Sequence, residues 1–196
     1  MAEMQTVISD PATDCTDCND TTLFESAARE LYQTAALFVG DETEAMKLVE
    51  ETVASVEMDP CADGEAARSA ASTDLVRRAL VRLAALRPEQ MHPTAVADLG
   101  GCVETDDLSA AGITREQLDS LLSGSDRARM RQWLEGLGPV ERSVFVMRAV
   151  LGRSGAQAVD LLGRTTGDSW TEAQVGGAYR AALCSLASSL VHSTAH

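Results

Sequence analysis

The chain has 196 residues, 45% of them hydrophobic and only 4% aromatic, with a net charge of −14. That length supports one ordinary domain or two small ones. No apolar run reaches the roughly 18–20 residues of a membrane span, and the acidic opening MAEMQTVISD lacks the basic region of a signal peptide, so a soluble, cytoplasmic protein without membrane contact is expected.

The charge is unevenly placed. Residues 1–21 carry five acids and no base, residues 22–88 twelve acids and seven bases, residues 89–125 seven acids and one base, and residues 126–196 six acids and eight bases. Only the last stretch is mildly basic, which is where contact with nucleic acid is least opposed. Ala and Leu, both strong helix formers, are abundant, so an all-α chain is expected.

Residues 1–21 are polar, acidic and contain Pro11, and read as a flexible tail. Phe24, Ala27, Ala28, Leu31, Ala35 and Phe38 then fall on one helical face, and Gly40 supplies a stop. Asp41, with Glu44 three residues on, is placed to cap a second helix with the stripe Ala45, Leu48, Val49, Thr52, Val53 and Val56. Pro60–Ser72 is small and polar, as loops are. A third helix carries Leu75, Val76, Ala79, Leu80, Leu83 and Leu86 and ends at Pro88.

Residues 89–125 contain Pro93, Gly100, Gly101, Gly112 and Gly124 among acids and read as a linker with one short helix over Thr114–Leu122. Helical pattern resumes over Arg129–Leu137. Pro139 opens the next helix and Gly152 closes it. Ser154 can cap a short helix ending at Gly163. The last helix starts near Thr171, with Gln174 three residues on, and carries the stripe Val175, Ala178, Tyr179, Ala182, Leu183, Leu186 and Leu190. The expected organisation is therefore a tail over 1–21, a helical domain over 22–88, an acidic linker over 89–125 and a second helical domain over 126–196.

Two segments, LYQTAALFVGDETEAMKLVEETVASVE (Leu31–Glu57) and LEGLGPVERSVFVMRAVLGRSGAQAVDLLG (Leu134–Gly163), resemble in this order the RNA polymerase sigma factors of the extracytoplasmic-function type. The first is similar to the family's region 2, whose acidic patch grips the clamp of the polymerase's largest subunit. Lys47, Val49, Glu50 and Glu51 stand at the matching polymerase-binding positions. The second is similar to region 4, which opens on an L-P-x-x-x-R-x-V-F-x-L-R phrase and runs into a helix-turn-helix; here the phrase is Leu137, Pro139, Arg142, Val144, Phe145, Met147 and Arg148. The resemblance covers most of Phe24–Leu190. It implies two helical domains, no catalysis, core RNA polymerase and promoter DNA as partners, and Arg77, Arg78, Arg82, Thr171, Gln174 and Arg180 as DNA-binding residues.

The chain departs from the family in two places. Ser72–Leu86 has no aromatic residue to stack on unpaired bases, a contact worth roughly 1–3 kcal/mol per base. The reading helix has Gly176, Gly177 and Ala178 where the family is basic, leaving Arg180, after a long turn over Arg164–Thr171. A sigma mimic, which binds an anti-sigma factor or polymerase without reading promoters, is therefore the alternative. A plain helical scaffold that dimerises through its last helix is a third possibility.

Cys15, Cys18, Cys61, Cys102 and Cys184 are odd in number and irregular in spacing, so free thiols are the default. Cys15-x-x-Cys18 has metal-ligand spacing but no second pair beside it, and no metal or other cofactor is expected. No nucleophile motif or phosphate loop stands out, so no enzyme is expected.

Overall fold

A computed structural model describes residues 20–55, 64–93 and 102–193, and side chains over 25–55, 64–93 and 102–191. Residues 1–19 with Cys15 and Cys18, as well as Val56, Cys61 and His196, lie outside the described residues. The described chain is all-helical and holds no strand.

The first helix, α1, spans Asp20–Val39 and buries Leu31, Ala35, Ala36 and Phe38. It stops at Gly40, whose φ of +77° is a left-handed value and whose N–H donates to the Ala36 carbonyl at 3.0 Å. Asp41 caps α2 (Glu42–Ser55), its Oδ1 accepting from the Glu44 N–H at 2.9 Å. Helix α2 buries Ala45, Leu48, Val49 and Thr52, and the Thr52 hydroxyl is satisfied by the Leu48 carbonyl at 2.7 Å.

Helix α3 runs over Gly64–Leu86, so the residues expected as a loop up to Ser72 are helical from Gly64 onward. Four alanines among Ala66–Ala71 give this stretch high helix propensity without an apolar stripe, and only Ala71 in it is buried. Beyond it, Leu75, Val76, Ala79, Leu80 and Leu83 point inward, and α1, α2 and α3 pack on one another.

The segment expected as a linker is structured over residues 102–125. A 3-10 turn over Leu108–Ala111 is capped by Asp107, and α4 (Arg115–Ser123) is closed by a Thr114–Gln117 capping box. Val103, Ile113 and Leu118 from this segment are buried.

Helix α5 (Arg127–Gly136) leads to α6 (Pro139–Phe145), which widens into a π turn over Val146–Val150; there the Leu151 N–H reaches back five residues to the Val146 carbonyl at 3.0 Å. Helix α7 (Gly155–Thr166) starts at a Ser154–Gln157 capping box and ends at Gly167, φ +78°, not at Gly163. Gly163 lies inside the helix, and a Cβ on it would stand 3.3 Å from the Asp168 carbonyl; the chain reversal after α7 passes too close for a side chain there. Helix α8 spans Glu172–Ser193 and buries Val175, Tyr179, Ala182, Leu183 and Leu186.

The two expected domains share one hydrophobic core. It runs from Leu31 and Phe38 through Leu75 and Leu80 to Phe145, Leu162 and Leu183, with α3 packed on α7 and α6 on α8. Polar contacts join the halves as well. Arg142, only 7% exposed, donates from Nε to the Leu37 carbonyl at 2.8 Å; Arg153 Nη2 donates to Thr73 Oγ1 at 2.9 Å; and His92 Nδ1 lies 2.7 Å from Asp168 Oδ2.

Gly40 is where the halves come closest. A Cβ built on it would lie 3.1 Å from both Arg142 Nη2 and Glu135 Oε1. Gly40→Ala is expected to lower stability by about 1–2 kcal/mol from the left-handed backbone alone, and more where Arg142 cannot move aside. Urea unfolding followed by tryptophan fluorescence reads this, and an unchanged midpoint would contradict the fit described here.

Candidate functional site

Two faces carry the residues singled out in the sequence. On the first, α2 and α3 lie side by side and their charges interlock. Arg82 bridges Glu44 and Glu51, with Nη2 to Glu51 Oε1 at 2.9 Å. Arg78 Nε meets Asp74 Oδ2 at 2.5 Å and its Nη1 lies 3.7 Å from Glu51 Oε2. Arg77 Nη2 meets Asp74 Oδ1 at 2.6 Å, and Lys47 Nζ meets Glu44 Oε1 at 2.7 Å. The three arginines expected at phosphate thus neutralise the protein's own acids. Of the four residues matched to polymerase binding, Val49 faces the core, Lys47 and Glu51 belong to the ion network, and Glu50 is exposed outside it.

The second face is α8 with the chain laid over it. Its N-terminus is a capping box: Gln174 N–H donates to Thr171 Oγ1 at 3.3 Å, and Thr171 N–H to Gln174 Oε1 at 2.9 Å. Both residues expected at DNA are therefore engaged in starting the helix. Because α7 runs to Gly167, the turn before α8 covers only residues 167–171 and is shorter than the sequence suggests. Gly176 and Gly177 are buried, and a Cβ on Gly176 would stand 3.5 Å from both Asp106 Oδ2 and Arg180 Nη1.

Asp106 is the centre of this cover. Its Oδ2 accepts from Arg148 Nη1 at 3.1 Å and its carbonyl from Arg148 Nη2 at 3.2 Å. The Arg148 guanidinium sits 5.0 Å from the centroid of the Tyr179 ring, a cation–π contact. Burial pushes the Tyr179 hydroxyl up to about 12, so it stays protonated at neutral pH. The ring belongs to an aromatic group with Phe145 and Trp133, and Trp133 Nε1 donates to Ser185 Oγ at 3.0 Å.

Cys102 and Cys184 form a disulfide with 5.7 Å between their Cα atoms, which corrects the expectation of free thiols for these two. They stand 82 residues apart, and only the return of residues 102–111 onto α8 brings them together; no spacing in the sequence signals it. Asp106 was likewise hidden. Its one sequence signal is a run of acids directly ahead of the mildly basic end of the chain.

Among the described residues no group of three or more His, Cys, Asp or Glu is gathered to hold a metal, and no helix is long and apolar enough to cross a membrane. A groove of about 510 Å³ between α1, α4 and α5 is lined by Arg115, Arg127 and Arg131 but also by Glu30 and Asp119, so it does not gather charge of one sign. No family model, curated protein or solved structure matches the chain.

The ion network makes a pH-dependent claim. Burial pushes the Asp74 carboxyl up, but hydrogen bonds from Arg78, Arg77 and Ser55 outweigh this and hold it below its ordinary 3.8. A carboxyl with a depressed folded value contributes stability that is complete above its unfolded value and is lost as pH falls through the folded one. Asp74→Asn is expected to lower the melting temperature at about pH 6, with the difference from the parent shrinking toward about pH 3. A difference that stays constant over that range would show that the arginines do not depend on the Asp74 charge.

Proposed function

We propose that the protein is a sigma-factor-like transcription initiation protein that binds core RNA polymerase through the α2–α3 face and directs it to promoters through α7–α8. The observation that carries the reading is the order of two units: a helical unit with Glu50 exposed on α2, then a capped helix–turn–helix over 155–193. Acids on an exposed helix suit a basic clamp surface, where charge complementarity steers association and fixes register. The phrase from Leu137 to Arg148 supports the same reading, since its Val144, Phe145 and Met147 are core residues and its Arg142 docks on α1.

The alternative is a sigma mimic that binds polymerase or an anti-sigma factor without reading promoter DNA. What favours it is the α8 face, where glycine stands at a position expected to be basic and an acidic segment lies over it.

Glu50 gives the cleaner test because Glu51→Lys would also set like charges beside Arg78 and Arg82. The full chain is expected to co-purify with core polymerase, and Glu50→Lys to weaken that association by about tenfold at low salt, with helicity by circular dichroism unchanged. Undiminished binding by the variant would remove this mode of contact. Run-off transcription on genomic fragments separates the two readings: transcripts support the initiation factor, and polymerase binding without transcripts supports the mimic.

A further inference from the structure

The acidic chain over α8 follows the helix with a definite geometry. Gly176, Arg180 and Cys184 are spaced by four residues and so form one line along α8. Cys102 is bonded to Cys184 at one end of that line, and Asp106 lies against Gly176 and Arg180 at the other. The segment therefore runs antiparallel to the helix. From Cys184 back to Gly176 the helix rises about 12 Å, and from Cys102 to Asp106 extended chain reaches about 13 Å. The two lengths match.

Several contacts fix the segment. The disulfide ties its start, Arg148 grips both the side chain and the carbonyl of Asp106, Val103 is buried, and Leu108, Ala110 and Ala111 pack against the core beside α8. Asp107 is committed to its own turn, its Oδ1 accepting from the Ser109 N–H at 2.8 Å. Gly176 is explained by the same arrangement: a methyl group fits there in ordinary contact, but a Lys or Arg side chain would have to occupy the space of Asp106. The carboxylate lies where a nucleic-acid phosphate would meet Arg148 and Arg180.

We propose that the Cys102–Cys184 disulfide is a redox-modification site that latches an acidic cover over the nucleic-acid-facing line of α8, and that its reduction by a dithiol uncovers that line. Cys102 is exposed and Cys184 half-buried, so the accessible sulfur is that of Cys102. A thiolate of the dithiol attacks Cys102 Sγ and forms a mixed disulfide. The electron pair of the broken S–S bond leaves on Cys184 Sγ, which takes up a proton. The second thiol of the dithiol then displaces Cys102 as a thiolate, which is protonated in turn. Two electrons and two protons pass to the protein, and the dithiol becomes a cyclic disulfide. What then holds the cover is chiefly the partly exposed Asp106–Arg148 pair, which salt screens. The uncovered line would present Arg180 and Arg148 to phosphate.

The proposal rests on α8 being the DNA-facing helix, and two measurements on the full chain separate the ideas. Peptide mapping without reductant is expected to find the Cys102–Cys184 link; its absence overturns the proposal. Hydrogen exchange over 102–111 is expected to rise about tenfold on adding dithiothreitol at physiological salt, and equally in Cys102→Ser without reductant, while α1–α3 keep their protection. Unchanged protection of 102–111 in the reduced protein overturns the latch. Loss of protection in α1–α3 as well would make the bond a general structural staple and overturns it too. Binding of a fluorescent DNA duplex is expected to tighten by about fivefold on reduction, with a steeper salt dependence. Release of 102–111 without any gain in DNA binding keeps the latch and removes the DNA-facing reading of α8.

Discussion

A cation set against the end of a helix holds this molecule together. Arg142 lies on α6 but spends its Nε–H on the Leu37 carbonyl, in the last turn of α1, where the helix dipole leaves unsatisfied oxygen and partial negative charge. Burying a guanidinium is costly, and here desolvation pulls its pKa down while the Glu135 carboxylate acts the other way. Its Nη2 has no hydrogen-bonding partner among the described residues. Such a group persists only where the surrounding fit is close, and Gly40 supplies that fit by leaving its α-carbon bare beside the guanidinium. Everything downstream of α6 is positioned from this contact: α7 against α3, Arg153 against Thr73, and α8 against α6.

The electrostatics follow a second pattern. Despite an excess of acids, the cations described here are largely turned toward carboxylates of the same chain. Arg77, Arg78 and Arg82 face Asp74, Glu44 and Glu51; Arg131 reaches Glu42 at 3.2 Å; Arg148 reaches Asp106. These are mostly surface pairs, individually worth about 0–1 kcal/mol. Their larger effect is on what the surface offers a partner. A phosphate approaching α3 competes with an intramolecular carboxylate already in place, whereas Glu50 on α2 is exposed outside the network. The asymmetry suits a protein face better than a nucleic-acid face on that side.

What the sequence disclosed was local. The Asp41 cap, the Ser154–Gln157 and Thr171–Gln174 boxes, the proline opening α6 and the short helix after Thr114 all depend on residues within one turn of each other, and all are present. The inward stripes of α2, α3 and α8 were legible for the same reason. Contacts that depend on distant residues were not. Ala66–Ala71 gave no stripe because that stretch of α3 is mostly exposed; Gly163 resembled a stop because its close neighbour, the Asp168 carbonyl, lies past the turn; the Cys102–Cys184 bond and the place of Asp106 require the whole C-terminal half to be folded first. Residues 102–125 looked like a linker because Val103, Ile113 and Leu118 are too far apart to make a period, yet each finds the core separately.

The π turn after α6 has its own bearing on how the chain can vary. Its carbonyls at Ala149 and Val150 are closed by Arg115, at 2.5 Å each, so the widened turn is braced from α4 and not merely tolerated. Up to Phe145 the helix shows its apolar side to α8; past the turn, Arg153 reaches Thr73 on α3. The extra residue works as an index mark between two partners that an uninterrupted helix would meet out of phase. Deleting one residue here would rotate all that follows by roughly 100° about the helix axis, and Arg153 and the start of α7 would lose their seats together. This stretch therefore constrains chain length more tightly than side-chain type.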